Sequence, residues 1–159
     1  MRNLVTLVVL LTLGAVCNFV VLPGLATNFR NVFAAPGLPM EQFFNEGPPT
    51  LFRVFWFCNV GAVLAWVYRT WQRRAASAAR VARMRGYWWI TASLLLAAGV
   101  VCSAFTIWIP FPQVSLMGEV LLLALLLVDE ALFFWLPTVL ASPRSYRLAA
   151  PGAQIFQKT

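Results

Sequence analysis

Two adjacent carboxylates, Asp129 and Glu130, stand inside one of the most apolar stretches of this chain, residues 119–135. An acid in the middle of an apolar run costs free energy unless it is paired, bound to a cation or used. No Lys or Arg lies at mid-depth in any apolar run, and the chain has no His. The polar neighbours on offer are Asn18, Asn59, Ser103 and Thr106. Three explanations compete: neutral carboxyls hydrogen-bonded to Asn or Ser, a proton or cation path, or a basic or polar group on another subunit. A fourth places the run deeper, bringing both acids near an interface. Glu119, eleven residues before Glu130, falls within about 20° of the same helical face. It lies at a depth similar to that of Arg53 in an earlier run. An Arg53–Glu119 ion pair is therefore expected as a structural feature, since intramembrane charges usually pair.

Other chemistry is disfavoured. Without His, bis-His haem is excluded and zinc or copper sites are poorly supplied. Cys17, Cys58 and Cys102 each stand alone in an apolar run, with no C-x-x-C, and read as packing residues. There is no G-x-S-x-G and no acidic metal-binding cluster, so no enzyme and no cofactor are expected.

The elements that must position these residues are membrane spans. Hydrophobic residues make up 61% of the chain and charged ones only 11%, against about 25% in a soluble domain. Long apolar runs predict an all-α integral membrane protein with four transmembrane helices near residues 3–22, 51–71, 87–109 and 114–139. Together they form one domain, residues 1–142. A signal peptide is the rival reading of the first run, but the run exceeds the usual 7–15-residue apolar core. Pro110 and Pro112 stop the third helix, so the last two spans form a tight hairpin. Residues 143–159 show no periodicity and read as a cytoplasmic tail, extended or partly disordered.

Residues 23–50 form the one long loop. Five prolines and three glycines exclude a single long helix there. Its many Phe residues suggest two short amphipathic pieces, near 27–34 and 39–45, lying on the membrane surface. Phe29, Phe33, Gly37, Leu38, Pro39, Pro49 and Thr50 follow a Phe-spaced helix, Gly-Leu-Pro and Pro-Thr pattern. Over this segment alone, the chain resembles the stretch that precedes a membrane span in the type II secretion F family. That family's soluble helical domains have no counterpart in this sequence.

Eleven of the twelve basic residues are Arg. Ten of the twelve fall on one side if both termini are cytoplasmic, which satisfies the positive-inside rule. The long loop is then periplasmic, and the membrane is read as a bacterial inner membrane. Arg73, Arg74, Arg80, Arg83 and Arg85 form a basic patch in residues 72–86, where the second helix is expected to run on into water and turn at Gly86. The patch serves as a topological anchor, or as a site for anionic headgroups or a partner subunit. The net charge of +7 follows this orientation pattern, so no nucleic acid partner is expected. The spacings Gly61/Ala65, Ser93/Ala97 and Gly99/Ser103 allow close helix approach, within the chain or between copies. The expected function is a non-catalytic accessory or scaffold subunit of a larger bacterial membrane complex. The alternative is a small proton- or cation-coupled transporter or channel, working as a homo-oligomer through Asp129 and Glu130.

Overall fold

A computed structural model of the chain describes residues 2–71, 77–143 and 145–153. Four helices are long and apolar enough to cross a membrane: α1 (Leu4–Asn28), α3 (Met40–Trp71), α4 (Ala78–Trp108) and α5 (Leu116–Leu140). A short helix α2 (Arg30–Phe33) lies between the first two, and a 3-10 turn (Arg147–Ala149) follows the last. Among the described residues there is no strand.

Each long helix forms where the apolar runs predict it, but three boundaries move. α1 continues past Pro23 to Asn28, and α3 starts at Met40 instead of Leu51. The irregular link shrinks to the few residues around Gly37, whose φ of +84° suits glycine. Pro48 and Pro49 sit inside α3, although each removes a backbone donor. Packing compensates. Phe33, Phe43, Leu51, Phe52, Ile107 and Phe111 are almost fully buried in one cluster around this segment. Phe33 and Phe43 therefore face the bundle, whereas Phe29 is exposed.

The third boundary concerns the basic segment. α3 ends at Trp71, and Ser77 caps α4, its side chain accepting from the Arg80 backbone N–H. Arg80, Arg83 and Arg85 thus belong to the first turns of α4, and Gly86 lies within the helix. A glycine there costs about 1 kcal/mol of helix propensity, which the packing of Met84 and Trp88 outweighs. Arg73 and Arg74 lie outside the described residues.

The tail also departs from expectation. Tyr146, Ala149, Ala150 and Ala153 are buried against α3, α4 and α5, so residues 145–153 fold back onto the bundle. Indole donors fasten this end. Trp66 donates to Ser142 at 2.8 Å, Trp71 to the Ala141 carbonyl at 3.0 Å, and Trp135 to the Pro151 carbonyl at 2.7 Å. Trp88 donates to Thr138 at 2.9 Å. Trp66 and Trp88 are packed inside, where their N–H groups find partners.

Small residues set the helix separations, since apolar burial alone does not drive helices together in lipid. Gly14 of α1 faces Trp56 and Phe133, and Gly118 of α5 faces Phe33. A Cβ at Gly118 would lie 2.6 Å from Phe33 Cδ1 and 3.2 Å from Phe33 Cα. Because backbone is among the obstacles, Gly118→Ala is expected to cost about 2 kcal/mol through overpacking. A mixed-micelle denaturation curve unshifted from wild type would contradict this contact.

Candidate functional site

The two apolar clusters of the bundle sit at opposite ends, and a polar layer separates them. Along α3 the buried series runs Leu51, Phe52 and Phe55, then Asn59, then Val63, Trp66 and Val67. Along α5 it runs Leu122 and Leu126, then Asp129 and Glu130, then Phe133 and Phe134. α4 contributes Ser103 between Leu95 and Ile107, and α1 contributes Asn18 between Leu7 and Leu22. Every long helix thus supplies at least one buried polar residue between its two apolar segments.

Asp129 is the centre of this layer. Its Oδ1 accepts from Asn18 Nδ2 at 2.6 Å, and its Oδ2 accepts from Asn59 Nδ2 at 2.7 Å. Asn18 Nδ2 also donates to the Gly14 carbonyl at 3.1 Å, one turn back in its own helix. All three side chains are at most 1% exposed. One carboxyl group therefore joins α1, α3 and α5 through two short hydrogen bonds. Asn18 and Asn59 are among the polar neighbours that the sequence offers. Their convergence on a single acid is a tertiary fact.

Glu130 points to a different environment. It is 8% exposed, and its Oε2 has no hydrogen-bond partner. Asn18 Oδ1, Asn59 Oδ1 and Ser103 Oγ are likewise buried and without a partner. Four oxygens at or beside the layer are thus unsatisfied, a costly arrangement in a low-dielectric interior. Thr106 does not join the layer, because its hydroxyl donates to the Cys102 carbonyl at 2.7 Å. The Cys58 and Cys102 thiols interact across the contact of α3 and α4, so these two cysteines are neighbours in space.

The backbone around the layer is locally irregular. One-turn π-helical segments occur at Cys17–Val21, Ala104–Trp108 and Ala131–Trp135. The first contains Asn18, the second begins just after Ser103, and the third begins just after Glu130. Such turns often mark functional positions. The apolar pattern carries no signal for them, because a π turn adds one residue without altering residue type.

The other expected sites fare differently. Arg53 is exposed on α3, with its guanidinium 5.6 Å from the centre of the Phe19 ring. It forms no ion pair with Glu119. Similar depth is insufficient, because Arg53 is directed to the Phe19 ring on α1. A cation over an aromatic face supplies the alternative partner. Arg85 donates to the Leu148 carbonyl at 3.1 Å and so helps hold the folded tail. Arg80 and Arg83 line a recess at the start of α4.

Among the described residues, no group of three or more Cys, Asp or Glu gathers as a metal-ligand set. Comparison with protein families, with curated proteins and with solved structures gives no match to this chain.

Proposed function

We propose that this chain is a non-catalytic scaffold, acting as an accessory subunit of a larger assembly in a bacterial inner membrane. In this reading both termini are cytoplasmic and the α1–α3 link is periplasmic. The observation that carries the reading is the clamp of Asn18, Asp129 and Asn59, which spends a costly buried acid on tying three helices together. A four-helix body with no metal-ligand cluster among its described residues suits a part whose task is to hold others. The acids then stabilise the fold, and partners are met by the outer faces and the basic end. The test is the mass of the native particle after gentle extraction and size-exclusion light scattering. A complex containing stoichiometric other chains is expected. A particle made of this chain alone would overturn the reading.

The unsatisfied oxygens favour a second reading, in which Glu130 and the polar layer take up a proton or a small monovalent cation. Hard oxygen donors suit such an ion, and the chain places no basic residue in the layer. Here liposome flux decides. Transport by the wild-type protein, lost in Glu130→Gln with the fold retained, would support coupling. Equal flux in protein-free liposomes would exclude it.

A further inference from the structure

The clamp sets a depth scale for the bundle. Asn18 is the fifteenth of the 25 residues of α1, and Asp129 is the fourteenth of the 25 of α5, so the clamp lies at the middle of both spans. Asn59 ties α3 to the same level. Arg53 precedes Asn59 by six residues, about 9 Å along a helix. A hydrocarbon core reaches about 15 Å to either side of its mid-plane. A first-turn place for Arg53 requires a span that starts at Leu51. Because α3 starts at Met40, Arg53 is its fourteenth residue.

An arginine at this depth can extend to the headgroups. The side chain of Arg53 goes elsewhere. Its guanidinium lies 5.6 Å from the centre of the Phe19 ring. Phe19 follows Asn18 directly in α1, so that ring sits close to the depth of the clamp. The stack keeps the charge inside the hydrocarbon layer. It also keeps it on the outside of the bundle, because Arg53 and Phe19 are both exposed. An aromatic face attracts a cation without neutralising it, and it leaves the in-plane N–H donors available.

The chain supplies no counter-charge. Its five acids, Glu41, Glu46, Glu119, Asp129 and Glu130, all lie among the described residues, and none is ion-paired with Arg53. Asp129 accepts from the two amides of the clamp, and Glu46 accepts from Gln42 at 3.2 Å.

The face that carries Arg53 is open to another helix. Arg53, Phe57, Gly61 and Ala65 follow at four-residue spacing, which places them on one side of α3, and all four are exposed. A Cβ at Gly61 would meet nothing within 4 Å. Phe57 stands edge-on to Phe19, with centroids 6.4 Å apart, so an aromatic pair borders the guanidinium. Small residues such as Gly61 and Ala65 let a second backbone come close in lipid.

We propose that this face docks a transmembrane helix of a partner subunit, and that the helix carries an Asp or Glu at the depth of Arg53. The proposal rests on the scaffold reading and gives the partner its chemistry. Charge complementarity selects the occupant. A carboxylate accepts two N–H bonds from one guanidinium edge, which lipid tails cannot do. Charges within the hydrocarbon layer pair with one another.

The test uses the full chain, labelled with a donor fluorophore, in phosphatidylcholine liposomes. The probe is an acceptor-labelled Leu/Ala transmembrane peptide with one Glu about 9 Å from its midpoint, or with Gln in the same place. Energy transfer reads association. The Glu peptide is expected to associate about tenfold more tightly than the Gln peptide, as for a good polar contact between membrane helices. R53Q should abolish the difference, R53K should keep most of it, and R53E should instead prefer a peptide with Lys at that position. Helicity of all three variants should match wild type, since Arg53 is exposed. Equal association of the Glu and Gln peptides is the result for an arginine that reaches the headgroups, and it would overturn the proposal. So would a Glu preference that survives in R53Q. Arg53-dependent self-association without peptide would overturn it too, because the occupant would be a second copy. The native particle separates the two readings. A wild-type particle of this chain alone sinks the scaffold reading, whereas a multi-subunit particle left intact by R53Q sinks only this docking face.

Discussion

Asn59→Leu is expected to destabilise the bundle by about 2 kcal/mol, read from unfolding in mixed micelles or by steric trapping. The size follows from what is left behind. Asn59 Nδ2 donates to Asp129 Oδ2 at 2.7 Å, the one side-chain donor to that oxygen among the described residues. Removing one partner of a buried polar group costs about 1–3 kcal/mol, because the other keeps its desolvation penalty. Hydrogen bonds between membrane helices average about 0.6 kcal/mol and reach about 1.7. The upper end applies here because Asp129 is almost fully buried. Asn18→Leu should cost a similar amount.

The same argument predicts when the cost disappears. Asp129→Asn should lose less than about 1 kcal/mol. Asn18 and Asn59 each have a free Oδ1, so one amide can rotate and accept from the new one. In N18L/N59L/D129L, donors and acceptor go together, and stability should return to near wild type. A triple variant less stable than N18L/N59L would show that Asp129 is held by something other than these two amides. Transport coupling would appear differently, since flux would respond to D129N or Glu130→Gln without any change in stability.

Gly14→Ala should be the most damaging single-methyl change in the spans, at about 3 kcal/mol. Its new Cβ would lie 2.4 Å from Trp56 Cζ3, 2.7 Å from Trp56 Cη2 and 2.9 Å from Phe133 Cδ1. Both rings are held in an edge-to-face pair, with centroids 6.2 Å apart, so neither moves freely. Overpacking of this kind costs about 1–3 kcal/mol. A further loss comes from the clamp, because Gly14 and Asn18 are one turn apart and displacing α1 pulls Asn18 from Asp129. Helix propensity opposes the effect by only about 1 kcal/mol. Gly61→Ala is the control. Nothing lies within 4 Å of its built Cβ, so stability should hold or rise by up to about 1 kcal/mol from helix propensity. Equal behaviour of the two alanine variants would contradict the packing of α1 on Trp56.

Gly61 and Gly14 look alike along the chain, as small residues in apolar runs, yet only one is at a helix contact. That difference marks how far the amino-acid order reaches. Four helices long and apolar enough to span a membrane were legible, because run length and hydropathy are properties of the chain alone. So was the stop at Pro110–Pro112, since proline's missing N–H acts locally. Position in space was not legible in the same way. Pro48 and Pro49 inside α3, the folded-back Tyr146 and the buried Trp66 and Trp88 all depend on partners distant in sequence. Tertiary packing overrides local preference at each of them.

The candidate site divides along the same line. Residue type singled out Asp129 and Glu130, because a carboxylate in an apolar run is costly wherever it points. Depth suggested Arg53 for Glu119, but rotation about the helix axis sent Arg53 to Phe19 instead. Only the assembled bundle placed Asn18, 111 residues away, and Asn59, 70 residues away, on the two oxygens of Asp129. The physical reason is that an acid's cost is set by its own solvation, whereas its partners are set by the relative rotation of helices, which no single run encodes.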